Sequence, residues 1–174
     1  MLNENEISLK LLDNSHIDSI HKYLNNEKLA ETYPVALPYS KDDAKLYVEK
    51  EINERKKGNR FAFAIEFKNQ FVGICALYDV NINNKKAGIY YWIAVPFWNN
   101  GLATYALKKI IRYARKELQL EILKTGVLKR NQASIKVLKK NGFIKENIAK
   151  NPNSYHRKFE GEEILEMILK LNHQ

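Results

Sequence analysis

The chain has one cysteine, Cys75, in 174 residues. A lone thiol excludes an internal disulfide and fits a reducing compartment. It sits in the apolar run 71–78, where an inert buried thiol is expected rather than a nucleophile. No stretch approaches the roughly 20 apolar residues of a membrane span, so no membrane contact is expected. The opening segment MLNENE lacks the basic-then-apolar form of a secretory signal, which points to the cytoplasm. The four histidines show no ligand spacing and the cysteine has no mate, so no metal centre is expected. Positive charge is in excess, at a net +9, which suits an anionic partner: nucleic acid, ribosome or a phosphorylated cofactor. Like charges never run in blocks of about five or six and there is no basic–aromatic repeat, so nucleic acid is weakly supported as the primary ligand. A lysine- and asparagine-rich residue usage accounts for most of the excess.

What is present suffices for one domain over residues 1–174 with one sizeable core. Ile7, Leu9 and Leu11 alternate with polar partners and predict a first strand. Ser15 is placed to cap a helix with Ile17, Ile20 and Leu24 on its apolar face. The segment 33–39 holds Tyr33, Pro34, Leu37, Pro38 and Tyr39 and predicts a stiff aromatic loop. Ser40 caps a second helix carrying Ala44, Tyr47, Val48, Glu51 and Ile52, which Gly58 and its neighbouring lysines end. Phe61, Phe63, Ile65 and Phe67 alternate as a half-buried strand, Asn69-Gln70 is a turn, and 71–80 returns as a hairpin partner. After a polar turn at 83–86 a third antiparallel strand follows over 87–95. The order then becomes helix, strand (122–128), helix, strand, and the chain ends on Leu165, Met167, Leu169 and Leu171 alternating as a last strand. That order predicts a central sheet with helices on both faces.

The stretch 91–107, YWIAVPFWNNGLATYAL, organises the rest. Residues 91–95 read as a buried strand, which Pro96 ends because proline cannot donate to a ladder. Asn99, Asn100, Gly101, Leu102, Ala103 and Thr104 then lead into a helical pattern. The first-turn N–H groups of a helix have no intrahelical partner and its dipole favours negative charge, so this start predicts an anion site. Gly101 and Ala103 leave the backbone accessible to a phosphate. No Gly-Lys-Ser/Thr follows and the third glycine of the dinucleotide fingerprint is missing, so neither of those phosphate loops is present.

About thirty residues on comes NQASIKVLKKNGF, residues 131–143. With this second motif the chain resembles the GNAT family of acetyl-CoA-dependent N-acetyltransferases, in particular the branch acting on ribosomal-protein N-termini. The family's Q/R-x-x-G-x-G/A loop is matched by Trp98 to Ala103, with the aromatic usual in that branch. Its N-x-x-S-x-x-V-L-x-K-x-G-F element is matched from Asn131 to Phe143. An LP-x-[ST]-x-x-[DE]-A-like element is echoed by Leu37 to Ala44. The resemblance implies an α/β (α+β) fold: a mixed, mostly antiparallel sheet of about six to seven strands, helices on both faces, and a splayed parallel pair with a bulge near the end of its first strand. It further implies that acetyl-CoA lies in the splay, its pantetheine arm pairing with the backbone of Ile93, Ala94 and Val95. The backbone from Asn99 to Thr104 would hold the pyrophosphate, with Asn131, Ser134, Lys139 and Lys140 also on the cofactor. An N–H of Ala94 or Val95 would stabilise the oxyanion. Ser134 would protonate the departing thiolate, since this helix lacks the tyrosine that other members use. Tyr33, Leu37, Tyr39, Tyr90, Trp92, Tyr155 and His156 would line the acceptor cleft.

The family's strand-borne glutamate falls near Gly88, which offers no side chain. Glu31, Glu163, His156 or a water remain as alternative proton acceptors. The expected activity is acetyl transfer to a primary amine, on a small molecule or a protein N-terminus, by a monomer or homodimer with a transient ribosome contact. The rival readings are an acetyl-CoA sensor without turnover and a basic ribosome- or RNA-binding module.

Overall fold

The structure, a computed structural model, describes residues 4–150 and 157–171. Seven strands form one sheet in the order β1-β2-β3-β4-β5-β7-β6. They are β1 (Ile7–Leu11), β2 (Phe61–Phe67), β3 (Gln70–Asn81), β4 (Lys86–Ile93), β5 (Ile122–Leu128), β6 (Ile144–Lys150) and β7 (Glu163–Lys170). The helices are α1 (Ile17–Leu24), α2 (Glu27–Ala30), α3 (Lys41–Lys56), α4 (Leu102–Lys116) and α5 (Gln132–Lys140). Every neighbouring pair is antiparallel except β4 and β5, which are parallel as a helical crossover requires.

Helices cover both faces of the sheet. On one face Ile89, Ile93 and Leu123 pack with Leu107, Ile110 and Ala114 of α4 and with Ile135 and Leu138 of α5. On the other, Ala62, Ala64, Ile74 and Trp92 pack with Ile20 and Leu24 of α1, Leu29 of α2 and Val48 of α3. β2 is therefore buried on both sides, and the half-buried strand expected from its alternating phenylalanines is corrected. Its second face uses alanines, Ala62 and Ala64, small enough to let the helices approach the sheet.

Local chemistry sets the element ends. Ser40 caps α3 by accepting from the Asp43 N–H at 3.0 Å, and the Asp43 carboxylate accepts from the Ser40 N–H at 2.8 Å. Ser15 does not cap the first helix. Asp13 accepts from the Ser15 N–H at 2.9 Å and starts a 3-10 turn that leads into α1. The β2–β3 turn is at Lys68 and Asn69, whose φ values of 51° and 63° give the left-handed pair that a tight hairpin needs; Gln70 already belongs to β3. Cys75 is free and fully buried, and burial pushes its thiol pKa up, as suits an inert core group.

The parallel pair decides the architecture of the site. β4 and β5 pair only at Lys86/Ile122, Ala87/Leu123 and Gly88/Lys124, although each strand continues beyond that point. The sheet thus opens like a V after Gly88. No register shift accompanies the opening: β3 and β4 stay in step from Tyr78/Gly88 to Gly73/Ile93. The shift lies at the other end, between Tyr78 and Asn81, so the bulge expected near the end of β4 is not found on its β3 side.

Candidate active site

Ladder alternation determines which groups face the opening. The Ala94 N–H donates to Val72 O on β3 at 2.8 Å. In an antiparallel pair the amides alternate sides, so those of Tyr91 and Ile93 face the gap towards β5. The Ile93 carbonyl is met there by the indole Nε1 of Trp98 at 2.6 Å. Of the backbone groups expected to serve a ligand, Ala94 is therefore spent on β3, both as pairing edge and as oxyanion donor. Of the two oxyanion candidates, Val95 remains.

The turn after β4 is built by asparagine and glycine. Asn99 and Gly101 have φ of 62° and 75°, a left-handed conformation that asparagine tolerates and glycine takes freely. Between them, the Asn100 amide donates to Phe97 O at 3.3 Å and Trp98 O at 3.1 Å. Gly101 is the N-cap of α4, and the N–H groups of Leu102 and Ala103 have no intrahelical acceptor. The Thr104 N–H bonds back to Gly101 O at 3.0 Å, which withdraws it from the open set. At the far end of α5, Asn141 donates to Thr104 O at 3.2 Å. That contact brings the last turn of α5, with the exposed Lys139 and Lys140, beside the start of α4.

Ser134 lies in the first turn of α5, roughly 10 Å along the helix from Asn141 at about 1.5 Å per residue. Asn131 caps the helix by accepting the Ser134 N–H at 3.1 Å, so the serine hydroxyl takes no part in capping. That hydroxyl lies 2.7 Å from the hydroxyl of Tyr91, which reaches from β4 to α5 beyond the last β4–β5 pair. The opening thus has N–H donors and lysines at one end and a pair of hydroxyls at the other.

The opposite face of β4 carries residues expected to line the acceptor cleft. Tyr90 and Trp92 share it with Tyr33, which packs on Trp92 at 6.1 Å between ring centroids. Tyr39 is held by Asn25, whose side chain accepts the Tyr39 N–H at 2.8 Å. Lys158 donates to Val35 O at 3.2 Å and Arg130 to Glu31 O at 2.7 Å, tying the chain at 31–35 to the segment between β5 and α5 and to the segment before β7. Leu37 is exposed on that loop. The Trp92 Nε1 is buried without a hydrogen-bond partner. Tyr155 and His156 lie outside the described residues.

Beneath this wall is a polar network that sequence reading missed. Glu51, 2% exposed, accepts from Arg60 through Nε at 3.0 Å and Nη2 at 2.7 Å. The Tyr90 hydroxyl lies 3.4 Å from the same carboxylate and 2.7 Å from the Tyr47 hydroxyl. Desolvation pushes the pKa values of Tyr47 and Tyr90 up, with the Glu51 charge adding to the effect, so both phenols stay protonated near neutrality. The signal was available: Glu51 falls among Ala44, Tyr47 and Val48 on the inward face of its helix, and an acid there needs a cation.

Gly88 explains the absent glutamate. A Cβ at this position would come within 2.2 Å of the Tyr78 ring. Tyr78 in turn packs tilted against Tyr90, 6.0 Å between ring centroids, and under the Arg60 guanidinium at 5.7 Å. The place of a strand-borne base is filled by a phenol ring. Of the other proton acceptors considered, Glu163 is exposed and paired with Lys129 at 2.6 Å, and Glu31 is exposed. Among the described residues no group of three or more His, Cys, Asp or Glu could hold a metal ion, and no helix is long and apolar enough to cross a membrane.

Comparison with known proteins follows the same lines. A model of the acetyltransferase (GNAT) domain matches residues 6–144. YdaF of Bacillus subtilis (strain 168), which carries the provisional name of a ribosomal N-acetyltransferase, is 33% identical over 85 residues, 49% of this chain and 46% of that protein. The matched segment therefore spans about half the length of that relative. An acetyltransferase structure from Salmonella typhimurium, described as modifying the N-terminal serine of a 50S ribosomal subunit protein, superposes with a TM-score of 0.84 at 22% identity over 96% of both chains. Spermidine N-acetyltransferase from Vibrio cholerae, in complex with CoA and spermine, gives 0.83 at 17% identity over 95% of this chain and 96% of that one. Two very different acceptors are thus served on one fold, and the fold does not choose between them.

The packing of Gly88 makes a stability prediction. Gly88→Ala forces the Tyr78 ring to move and should cost about 1–3 kcal/mol by urea denaturation. In a Tyr78→Ala background the same substitution should cost under about 0.5 kcal/mol, because the ring it strikes is gone. Equal costs in both backgrounds would mean that Tyr78 does not fill the space.

Proposed function

The chain belongs to the acetyltransferase (GNAT) domain family, and from that premise we propose that it transfers an acetyl group from acetyl-CoA to a primary amine by direct attack in a ternary complex. The observation that carries the reading is the opening between β4 and β5 after Gly88/Lys124. An unpaired ladder amide needs a partner, and the pantetheine arm, which carries amides of its own, supplies one at Ile93. The residues fit the rest of the ligand. Pyrophosphate meets the N–H groups of Asn100 to Ala103 at the positive end of α4, with Lys139 and Lys140 close by.

The amine attacks as the neutral base. Its nitrogen bonds to the thioester carbonyl carbon, the carbonyl oxygen becomes an oxyanion, and collapse of the tetrahedral intermediate expels CoA thiolate. The N–H of Val95 is the backbone donor for the oxyanion. Ser134 gives its hydroxyl proton to the sulfur, at a helix start whose dipole also favours the developing anion. Gly88 supplies no base and the buried phenols of Tyr47 and Tyr90 are held protonated, so the amine's proton leaves through water. Positioning on an activated thioester carries much of the rate.

The acceptor we favour is a protein N-terminus. Trp92 Nε1, a buried donor without a partner, suits a carbonyl, which a peptide has and a polyamine lacks. The buried carboxylate of the cleft, Glu51, is neutralised by Arg60 and leaves no charge there for a polycation. The names of the Bacillus and Salmonella relatives agree with this choice. A second reading, acetyl-CoA binding without turnover, draws on Gly88, where the glutamate is missing.

Acetyl-CoA consumption against peptide, polyamine, aminoglycoside and amino-acid acceptors separates these readings. Ser134→Ala should lower kcat on the order of 10²-fold, with acetyl-CoA affinity and Tm nearly unchanged. Preserved kcat would remove Ser134 from the chemistry. With a peptide acceptor the rate at limiting amine should climb with pH and level off above about 8, the range in which an α-amine loses its proton. A profile flat across that range would show that deprotonation of the acceptor does not limit the rate.

A further inference from the structure

We propose that Tyr91 positions the Ser134 hydroxyl and feeds it the proton that Ser134 passes to the CoA thiolate. The proposal rests on the reading of Ser134 as proton donor. Its own observation is the contact across the opening. The Tyr91 hydroxyl stands 2.7 Å from Ser134 Oγ and 3.3 Å from Ser134 O, although the two residues belong to different layers of the fold. Tyr91 lies on β4 past the point where β5 has parted from it, and its side chain ties β4 to the start of α5 at this level. The ring is half-buried against the core formed with α4 and α5, which fixes its direction.

Chemistry gives the pair a reason. An aliphatic hydroxyl is a poor acid for a thiolate. A phenol, ordinarily near 10, is far closer to a thiol, ordinarily near 8.5. Linked through Ser134, the tyrosine lends its acidity to a group small enough to sit beside the sulfur. The Asn131 cap leaves the serine oxygen available for this link, since Asn131 and not Ser134 satisfies the helix end. In the step, the sulfur gains the Ser134 proton as its bond to the acyl carbon breaks. Ser134 Oγ gains the Tyr91 proton. The Tyr91 oxygen recovers, through water, the proton that the acceptor nitrogen loses on forming the amide. One proton leaves nitrogen, one arrives on sulfur, and both hydroxyls end as they began.

The test is a double-variant cycle on the intact chain: Tyr91→Phe, Ser134→Ala and both together. Each is assayed for kcat, KM for acetyl-CoA, calorimetric CoA affinity and Tm. Tyr91→Phe keeps the ring, and its kcat should fall about tenfold or more while KM, CoA affinity and Tm stay close to the parent. The double variant should be no slower than Ser134→Ala, because Tyr91 acts only through the serine. If Ser134→Ala is slow and Tyr91→Phe is as fast as the parent, this inference fails while the role of Ser134 stands. If Ser134→Ala is as fast as the parent, the donor reading itself fails. Multiplicative losses in the double variant, or a Tyr91→Phe loss that follows Tm, would mean that Tyr91 has a separate structural role and overturn the proposal.

Discussion

Backbone groups that lose their ladder partners must find others, and this molecule depends on that constraint at one place. β4 and β5 share only their first residues, from Lys86/Ile122 to Gly88/Lys124, and then part. A buried amide without a partner is costly, so a lasting opening in the middle of a sheet calls for substitutes. One is internal: Trp98 Nε1 covers the Ile93 carbonyl. The remainder is what a ligand with its own amides would satisfy. The turn at 99–101 and the helix that follows present open N–H donors at one end of the same opening, and the capped start of α5 places a hydroxyl at the other.

The opposite face of β4 is built on a different principle. There the floor is a buried carboxylate, Glu51, which accepts from Nε and Nη2 of Arg60 and lies close to the phenols of Tyr47 and Tyr90. Burial opposes the charge on Arg60, and the hydrogen bonds to Glu51 outweigh it, so the guanidinium titrates above its ordinary value. Removing one partner of such a pair strands the other in a low-dielectric site, which commonly costs about 3–5 kcal/mol. Tyr78 completes the arrangement by filling the space over Gly88. Gly88 is thus a packed position, matched by the Tyr78 ring beside it, and in the proposed reaction it leaves the rate to positioning and to the leaving group.

Much of the fold was legible because its signals are local. Ile122–Leu128 has the limits expected from its apolar run, and the Ser40 and Asp43 capping box marks the start of α3 as the sequence indicates. Alternation misled at β2, where small alanines on the second face are buried yet look indifferent in sequence. The turn after β4 was legible in Asn99 and Gly101, residue types that take its left-handed backbone most readily. What could not be read were contacts between distant residues. Tyr91 and Ser134 are 43 positions apart, and nothing local marks Tyr91 as different from Tyr90 or Trp92. The loss of Ala94 as a donor depends on which edge of β4 its amide faces, a matter of register against β3 that composition does not encode. Glu51 was visible on an apolar helix face, but its cation, Arg60, follows the helix and only the fold brings it inward.

The central claim is that the β4–β5 opening is the seat of the CoA arm. Amide hydrogen exchange, residue by residue, with and without CoA, tests it most directly. The account predicts that CoA slows exchange at Ile93 on the open edge and at Leu102 and Ala103 at the start of α4. Ala94, already bonded to Val72, should not change. Binding of CoA with Ile93, Leu102 and Ala103 all unaffected would contradict it.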